Sequence, residues 1–238
     1  MSVPRLFCPD LHEGPVRLPD EEAQHAVASL RLQPGDPVEL FDGRGRRADG
    51  QVHRAVAYSL EVEAGEITAR PFDIPVRITL AVAMPRTHRQ GYLVEKCTEL
   101  GVAAIWPITT ERSVTRPKAA AVAKWARRAV EAAKQSNRYW LPGIEAPQPL
   151  AASIARRAEF DSAAMAHPGA LSSFVGFFAG GSRAGSVIVW IGPEGGWSEA
   201  ETDEAVAAGV TLTGLGPTIL RTETAAVSVC AAVALLGN

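Results

Sequence analysis

The sequence predicts an α/β protein in which a small β-rich N-terminal part precedes a larger part built on a predominantly parallel sheet. In the larger part, short apolar runs alternate with helical patterns, and two glycine-proline loops each follow such a run. A stretch with two prolines and an aspartate, residues 69–75, separates the two parts and suits a linker. We therefore predict one domain at residues 1–71 and a second at residues 72–238. The predicted strands of the second domain are residues 76–84, 102–108, 160–166, 187–191 and 210–215.

The N-terminal part reads as a small barrel with one short helix. Residues 38–41 and 50–56 flank the turn-rich Asp-Gly-Arg-Gly at 42–45, which is a hairpin signal. Residues 58–62 alternate polar and apolar side chains and indicate a third strand. Residues 18–32 have apolar side chains at helical spacing, with Asp20 as a plausible cap.

The middle of the chain contains two predicted helices and most of the positive charge. The first helix covers residues 92–100 and is closed by Gly101; the second, at residues 118–136, is strongly amphipathic. Residues 86–138 contain 11 Lys and Arg against four Glu, a net charge of +7, whereas the whole chain has −2. The stripe that includes Arg127 and Arg128 is a candidate phosphate-contacting face, with a merely solvated face as the alternative.

The C-terminal part carries the clearest local signals. Ser198 and Glu201 form a Ser-x-x-Glu capping box that should begin a helix, and Gly209 should end it. The serine- and glycine-rich residues 170–186 are expected to be a mobile surface segment. From about Thr222 the sequence is almost purely apolar, which predicts a helix buried in a core or in a subunit interface.

The two glycine-proline loops suggest a ligand site, because ligands of open α/β sheets bind at the carboxyl ends of the strands. The first loop reads Gly-Pro-Glu-Gly-Gly at 192–196, and the second reads Gly-Pro-Thr-Ile-Leu-Arg at 216–221. Glycines let the backbone approach a ligand closely. The alternative is that both loops are tight turns and nothing more.

Several classes of protein are disfavoured. No uninterrupted apolar segment of about 20 residues is present, and the N-terminus does not predict a signal peptide. Three widely spaced cysteines without a Cys-x-x-Cys pattern indicate a reducing, cytoplasmic location, and no metal site is expected. Neither a Gly-x-Gly-x-x-Gly fingerprint nor a phosphate-binding Walker motif occurs, which weakens the interpretation as a nucleotide enzyme.

The amino-acid sequences of four motifs resemble those of one known family. IGPEGGWSEAE at 191–201, LGPTILRTETAA at 215–226, EKCTELGVAAIWPITTERS at 95–113 and AAKQSNRYWLPGI at 132–144 are similar to motifs of the small-subunit (16S) ribosomal RNA uridine-N3 methyltransferases. VPRLF and LRLQPGDPVELFDG near the N-terminus also resemble that family, so the likeness covers nearly the whole chain. The family belongs to the SPOUT superfamily of enzymes that use S-adenosylmethionine.

This resemblance implies a PUA-like RNA-binding β-barrel followed by a SPOUT methyltransferase domain with a C-terminal trefoil knot. It implies methylation of uridine N3 in 16S ribosomal RNA, in the decoding region of the small ribosomal subunit, by a homodimer. The cofactor-binding residues that it implies are His167, Gly192, Glu194, Gly195, Gly196, Leu215, Gly216, Ile219, Leu220 and Thr224. The implied RNA-binding residues of the barrel are Arg5, His25 and Arg31.

A positioned guanidinium would stabilise the charge of a deprotonated uracil ring. Arg221 is the first candidate, with Arg112 and Arg138 as alternatives. The base that removes the N3 proton stays open between Glu194, Glu223 and solvent, and Lys134 is assigned no role. The rival functional interpretations are a non-catalytic RNA-binding protein and a nucleotide-binding α/β enzyme.

Overall fold

The computed structural model describes residues 3–56, 58–180 and 185–236. The chain forms two compact units, one made of Met1–Asp73 with Ala133–Leu141 and one made of Ile74–Ala132 with Pro142–Asn238. The sequence pattern divides the chain once, after residue 71, and gave no indication that Ala133–Leu141 belongs with the N-terminal unit.

The N-terminal unit is built on a six-stranded sheet with one helix. Its strands follow the order β1-β3-β4-β5-β2, with β6 paired to β4. The β3–β4 pair is antiparallel across the turn at 42–45, and β5 pairs antiparallel with β4, so the predicted hairpin and third strand are confirmed. The elements are β1 (Arg5–Phe7), β2 (Gly14–Arg17), α1 (Asp20–Ala28), β3 (Pro37–Phe41), β4 (Arg46–Val56), β5 (Ser59–Ala64) and β6 (Thr68–Ala69).

Helix α1 is shorter than the predicted span of residues 18–32. Pro19 occupies the N-cap position, so Asp20 is the first helical residue and its carboxylate pairs with Arg17 instead of capping the helix. At the other end, Arg31 adopts a left-handed backbone (φ 57°). The chain therefore leaves the helix before Leu32, which is buried, while Leu30, one of the residues at helical spacing, is 41% exposed.

The C-terminal unit is built on an eight-stranded, entirely parallel sheet. The strand order is β10-β8-β7-β13-β11-β14-β12, with β9 paired to β8, which confirms the predicted parallel sheet. The elements are β7 (Arg77–Ala83), α2 (Thr87–Glu99), β8 (Ala104–Thr109), α3 (Ala121–Gln135), β9 (Gly143–Ile144), β10 (Gln148–Pro149), α4 (Leu150–Ala155), a 3-10 turn (Arg157–Glu159), β11 (Ser162–Ala166), β12 (Ser172–Ser173), α5 (Phe174–Gly180), β13 (Ser186–Ile191), α6 (Glu199–Ala207), β14 (Thr211–Gly214) and α7 (Thr222–Leu236).

Both faces of this sheet are covered, because successive residues of a strand point to opposite faces. In β7, Ile78 and Leu80 pack in the core that includes residues of α2, α5 and α7. Ala81 packs in the second core, with residues of α4 and α6. Burial of both faces explains why the central strands are continuous apolar runs and not alternating ones.

Three sequence expectations for this unit need correction. Helix α2 begins at Thr87, five residues before the predicted start, directly after the extended N-cap residue Arg86. On α3, the predicted apolar residue Ala126 is exposed, whereas Trp125 and Ala129 are buried. Part of the supposed surface segment at 170–186 is ordered, because Phe174 is buried in the core and begins α5. Residues 181–184 of that segment lie outside the described residues.

Helix α7 buries one face and exposes part of another. Val229, Cys230 and Val233 are fully buried, whereas Leu235 and Leu236 are 78% and 46% exposed. Burial on all sides is therefore not achieved within a single chain. The trefoil knot that the resemblance implies stays a prediction.

Candidate functional site

Three loops meet at the carboxyl edge of the parallel sheet in the C-terminal unit. Strand β11 pairs with β13 on one side and with β14 on the other, so the residues that follow these strands emerge side by side. A cleft lies between the three loops and the start of α7. Eight of the ten predicted cofactor-binding residues line it, namely His167, Gly192, Glu194, Gly196, Leu215, Gly216, Ile219 and Leu220.

The first loop, residues 192–197, is held in a defined shape. A Cβ atom added at Gly192 would lie 2.9 Å from Trp197 Cε2, so only glycine fits there. The Trp197 indole Nε1 donates to the Ala166 carbonyl at 2.9 Å, which ties this loop to the end of β11. The loop leads into α6 through the predicted capping box of Ser198 and Glu201, which is confirmed.

The second loop, residues 215–221, is connected to the first through the start of α7. The Thr222 hydroxyl donates to the Gly192 carbonyl at 3.0 Å. Next to it, the buried Glu223 carboxylate pairs with Arg89 of α2, with Oε1 and Nη1 3.1 Å apart. These two contacts position the residues that lie immediately before them, including Arg221.

Two glycines leave open space in the cleft. Gly196 and Gly216 have φ values of +69° and +131°, which side chains rarely adopt, and no atom lies within 4 Å of where a Cβ would be. Packing within the chain therefore does not explain the missing side chains. Open space of this kind beside backbone is what a closely bound ligand requires.

The third loop presents His167 in a fixed tautomer. The Gly169 amide donates to His167 Nδ1 at 3.1 Å, so in the neutral ring the proton is on Nε2. The His167 amide also donates to the Thr213 carbonyl at 2.9 Å, which links the ends of β11 and β14. The ring thus lines the cleft as a hydrogen-bond donor.

Two predicted cofactor residues lie outside the cleft. A Cβ atom at Gly195 would lie 3.1 Å from Arg112 Cβ, so this glycine faces Arg112. Thr224 is exposed on α7 and does not line the cleft, whereas Thr222 does. The signal for Thr222 in the sequence is a hydroxyl residue at the first position of a helix, directly after a glycine loop.

The three candidate arginines occupy different environments. Arg221 is exposed and lies between the lining residues Leu220 and Thr222. Its guanidinium has no hydrogen-bond or ion-pair partner in the part of the chain that the structure describes. Arg112 instead braces the first loop, because its Nη1 donates to the carbonyls of Gly195 and Trp197 at 3.2 and 3.0 Å.

Arg138, the third candidate, is buried and paired, and its catalytic role stays a prediction. It belongs to the N-terminal unit and is only 4% exposed. Its Nε donates to Asp73 at 2.6 Å, and its guanidinium lies over the Phe72 ring, 5.7 Å from the centroid. The positive charge is therefore neutralised within that unit.

The predicted RNA-binding residues also divide into exposed and buried ones. His25 and Arg31 are exposed at the end of α1, and Arg127 and Arg128 are exposed on α3. Arg128 pairs with Glu95, with Nη2 and Oε2 2.7 Å apart. These four side chains are accessible to a nucleic acid.

Arg5, by contrast, is partly buried and makes several contacts within the N-terminal unit. Its side chain is 9% exposed and pairs with Glu39 at 2.6 Å. Its guanidinium donates to the carbonyls of Ala133 and Arg138 at 2.9 Å each and to that of Lys134 at 3.3 Å. Within the N-terminal unit, Arg5 thus fixes the segment Ala133–Leu141, and its contact with RNA stays a prediction.

We predict that Arg5→Met lowers the free energy of unfolding by about 3–5 kcal/mol, because it leaves buried carbonyls and Glu39 without their cation. Urea unfolding monitored by circular dichroism measures this. Arg31→Met, at an exposed position, is the matched control and should change stability by less than about 0.5 kcal/mol. A loss of RNA affinity with unchanged stability in Arg5→Met would instead favour the RNA-binding interpretation and contradict the structural one.

Lys134, to which the sequence gave no role, is also buried. Its Nζ lies 3.1 and 3.2 Å from the two carboxylate oxygens of Glu22. Glu22 in turn accepts the amide of Phe7 at 3.1 Å. Within the N-terminal unit, this pair is a second tie that holds the segment Ala133–Leu141.

Comparison with known proteins identifies the family. A family model described as "RNA methyltransferase domain" matches residues 73–234, and one described as "RNA methyltransferase PUA domain" matches residues 18–55. The chain is 31% identical over 215 residues to the ribosomal RNA small subunit methyltransferase E of Synechocystis sp., covering 90% of this chain and 70% of that protein. The chain belongs to the ribosomal RNA small subunit methyltransferase E family. The protein of that name from Mycobacterium tuberculosis is 33% identical over 226 residues, with 91% and 84% covered.

Solved structures of similar proteins agree with this family. The family member from Neisseria gonorrhoeae, bound to S-adenosyl methionine, is 29% identical with a TM-score of 0.89, and 99% of this chain and 98% of that chain are covered. A methyltransferase structure from Legionella pneumophila, in complex with the same cofactor, is 27% identical with a TM-score of 0.90, and 100% and 99% are covered. The α/β architecture with an N-terminal PUA domain is thus the architecture of the family.

The described residues also bear on three other features: metal sites, membrane-spanning helices and reactive cysteines. Among residues 3–56, 58–180 and 185–236, no group of three or more His, Cys, Asp or Glu could hold a metal ion. Within the same ranges, no helix has the length and apolar character needed to cross a bilayer. Burial raises the pKa of the Cys8 thiol to about 11, and a hydrogen bond with Cys230 raises that of Cys97, so these thiols are poor nucleophiles.

Proposed function

We propose that this protein binds S-adenosylmethionine in the cleft and transfers its methyl group to N3 of a uridine in 16S ribosomal RNA. We place the target in the decoding region of the small ribosomal subunit, and we propose that the enzyme acts as a cytoplasmic homodimer. The observation that carries the proposal is the cleft at the ends of three neighbouring strands, in a family with a solved member bound to this cofactor.

The residues of the cleft fit this cofactor. The open space beside Gly196 and Gly216 admits a ligand against the backbone of two loops. Apolar side chains such as Leu215 and Leu220 line the cleft together with polar groups such as His167 and Glu194. A mostly apolar pocket with a few placed polar groups is the usual form of a cofactor site. When bound, S-adenosylmethionine supplies an electrophilic methyl group carried on a sulfonium.

Arg221 has the properties that the reaction demands of the protein. Uridine N3 becomes nucleophilic only after it loses its proton, and the resulting charge is shared with O2 and O4. An exposed guanidinium without a partner among the described residues can donate to such an oxygen and favour the ionised ring. Thr222 and Glu223 hold the backbone beside Arg221, so the arginine needs little reorganisation to act.

The direct test is to incubate the protein with isotopically labelled S-adenosylmethionine and small ribosomal subunits, and in parallel with free 16S ribosomal RNA. Nucleoside analysis by mass spectrometry should find labelled 3-methyluridine, at one position of the 16S RNA. Another labelled nucleoside would contradict the uridine-N3 assignment alone. Absence of label on both substrates would contradict the proposed activity.

The exposed arginines of α3 should contribute to RNA binding. We predict that the double change Arg127→Glu and Arg128→Glu weakens RNA binding and lowers the salt slope of log K by about 2, since each lost phosphate contact removes roughly one counterion. Filter binding between low and moderate salt measures the slope. An unchanged slope would mean that this face is only solvated.

The homodimer proposal rests on the apolar surface of α7. Leu235 and Leu236 remain exposed in the single chain. A self-complementary interface formed by two copies would bury them. Sedimentation equilibrium tests this, and a monomer at all protein concentrations would contradict it.

A further inference from the structure

Among the described residues, one acidic side chain lines the cleft, that of Glu194, and His167 is the other titratable residue of the lining. The Glu194 side chain is exposed, and within the described residues its carboxylate forms no hydrogen bond or ion pair. A structural contact within the described residues therefore does not explain why residue 194 is acidic.

The nearby cation on the same loop does not neutralise Glu194. The Arg112 guanidinium is bound to the carbonyls of Gly195 and Trp197, on either side of Gly196. It therefore braces the loop that carries Glu194 and leaves the carboxylate free to act on a ligand. The loop itself is fixed by Trp197 and by the capping box that follows it.

We infer that Glu194 supplies the negative charge opposite the sulfonium of S-adenosylmethionine, and that it lets the cleft distinguish this cation from the neutral thioether of S-adenosylhomocysteine. This inference rests on the proposed function, because it assumes that the cleft binds the cofactor. A carboxylate near a sulfonium favours the charged ligand, and solvent at an exposed position limits the effect to about three- to tenfold in affinity.

The same charge has a distinct kinetic consequence. The sulfonium loses its positive charge during methyl transfer, so its attraction to Glu194 is stronger before the reaction than in the transition state. An interaction that is stronger in the ground state lowers KM without raising kcat. Glu194 therefore favours binding of the substrate over the product and does not accelerate the transfer itself.

The test compares wild-type protein, Glu194→Gln and the control Glu204→Gln by calorimetric titration. Glu204 is an exposed carboxylate of α6 outside the cleft, so its variant reports the effect of net charge alone. The three probes are S-adenosylmethionine, S-adenosylhomocysteine and sinefungin, which carries an ammonium-bearing carbon in place of the methyl sulfonium. In Glu194→Gln, affinity for both cationic probes should fall by about three- to tenfold, while affinity for S-adenosylhomocysteine stays within about twofold.

Each alternative gives a different pattern. Equal losses for all three probes would show that Glu194 holds the loop or contacts a group that all three ligands share. Unchanged affinities would show that Glu194 has no role in binding. Either result overturns the inference. A fall of kcat in Glu194→Gln with unchanged KM would mark Glu194 as a base and also overturn it. Failure of the wild-type protein to bind any of the probes would instead contradict the proposed function.

Discussion

Arg221→Ala should reduce the rate of methyl transfer by about 10²–10³-fold while leaving the affinity for S-adenosylmethionine nearly unchanged. The expected size is that of removing one positioned donor from a developing or resident oxyanion. Arg221 is exposed and pairs with nothing in the described chain, so its loss should not destabilise the fold. Single-turnover methylation and calorimetry of the same preparation separate the two effects.

The pH profile adds a second readout for Arg221. If the guanidinium favours the ionised uracil ring, the variant should recover activity as pH rises, because hydroxide then supplies the ionisation. The contrasting variant is Arg112→Ala, which should weaken cofactor binding because it releases the Gly195 and Trp197 carbonyls. Undiminished turnover in Arg221→Ala would remove this residue from the mechanism.

Gly216→Val should abolish detectable binding of S-adenosylmethionine, with a loss of at least about 100-fold, or roughly 2.7 kcal/mol. The valine side chain would project into the open space beside Gly216, in the cleft. It would also be held at φ +131°, a strained conformation that costs about 1–3 kcal/mol of stability. Calorimetry measures the affinity, and thermal unfolding measures the stability.

Gly209→Val is the matched control for that change. Gly209 also has a positive φ, +78°, but it follows α6 and does not line the cleft. Its variant should therefore lose stability and keep cofactor affinity. Equal affinity losses in both variants would mean that strain alone, and not occupation of the cleft, causes the effect at Gly216.

The parts of the fold that depend on short-range chemistry could be predicted from the sequence. Ser198 and Glu201 form the capping box within one helical turn, and Gly209 and Gly101 adopt the left-handed conformation that ends a helix. Apolar runs of strand length identify the strands of the parallel sheet, because this pattern also lies within a few consecutive residues. The glycine loops follow these strands, so most of the candidate cleft could also be read from the sequence.

The parts that depend on distant partners could not be predicted. Arg5 pairs with a carboxylate 34 residues away, and Arg138 pairs with one 65 residues away. The sequence around each arginine does not show these partners, so both are easily mistaken for surface charges. Thr224 and Thr222 differ by half a helical turn, which decides whether the side chain meets solvent or the cleft. That difference depends on how α7 is seated against the first loop, which local sequence does not encode.

Hydrogen–deuterium exchange with and without saturating S-adenosylmethionine shows where the cofactor binds. We expect added protection confined to the three loops of the cleft, at residues 166–169, 192–197 and 215–222. Protection located elsewhere, such as along α2 and α3 with these loops unaffected, would contradict this expectation.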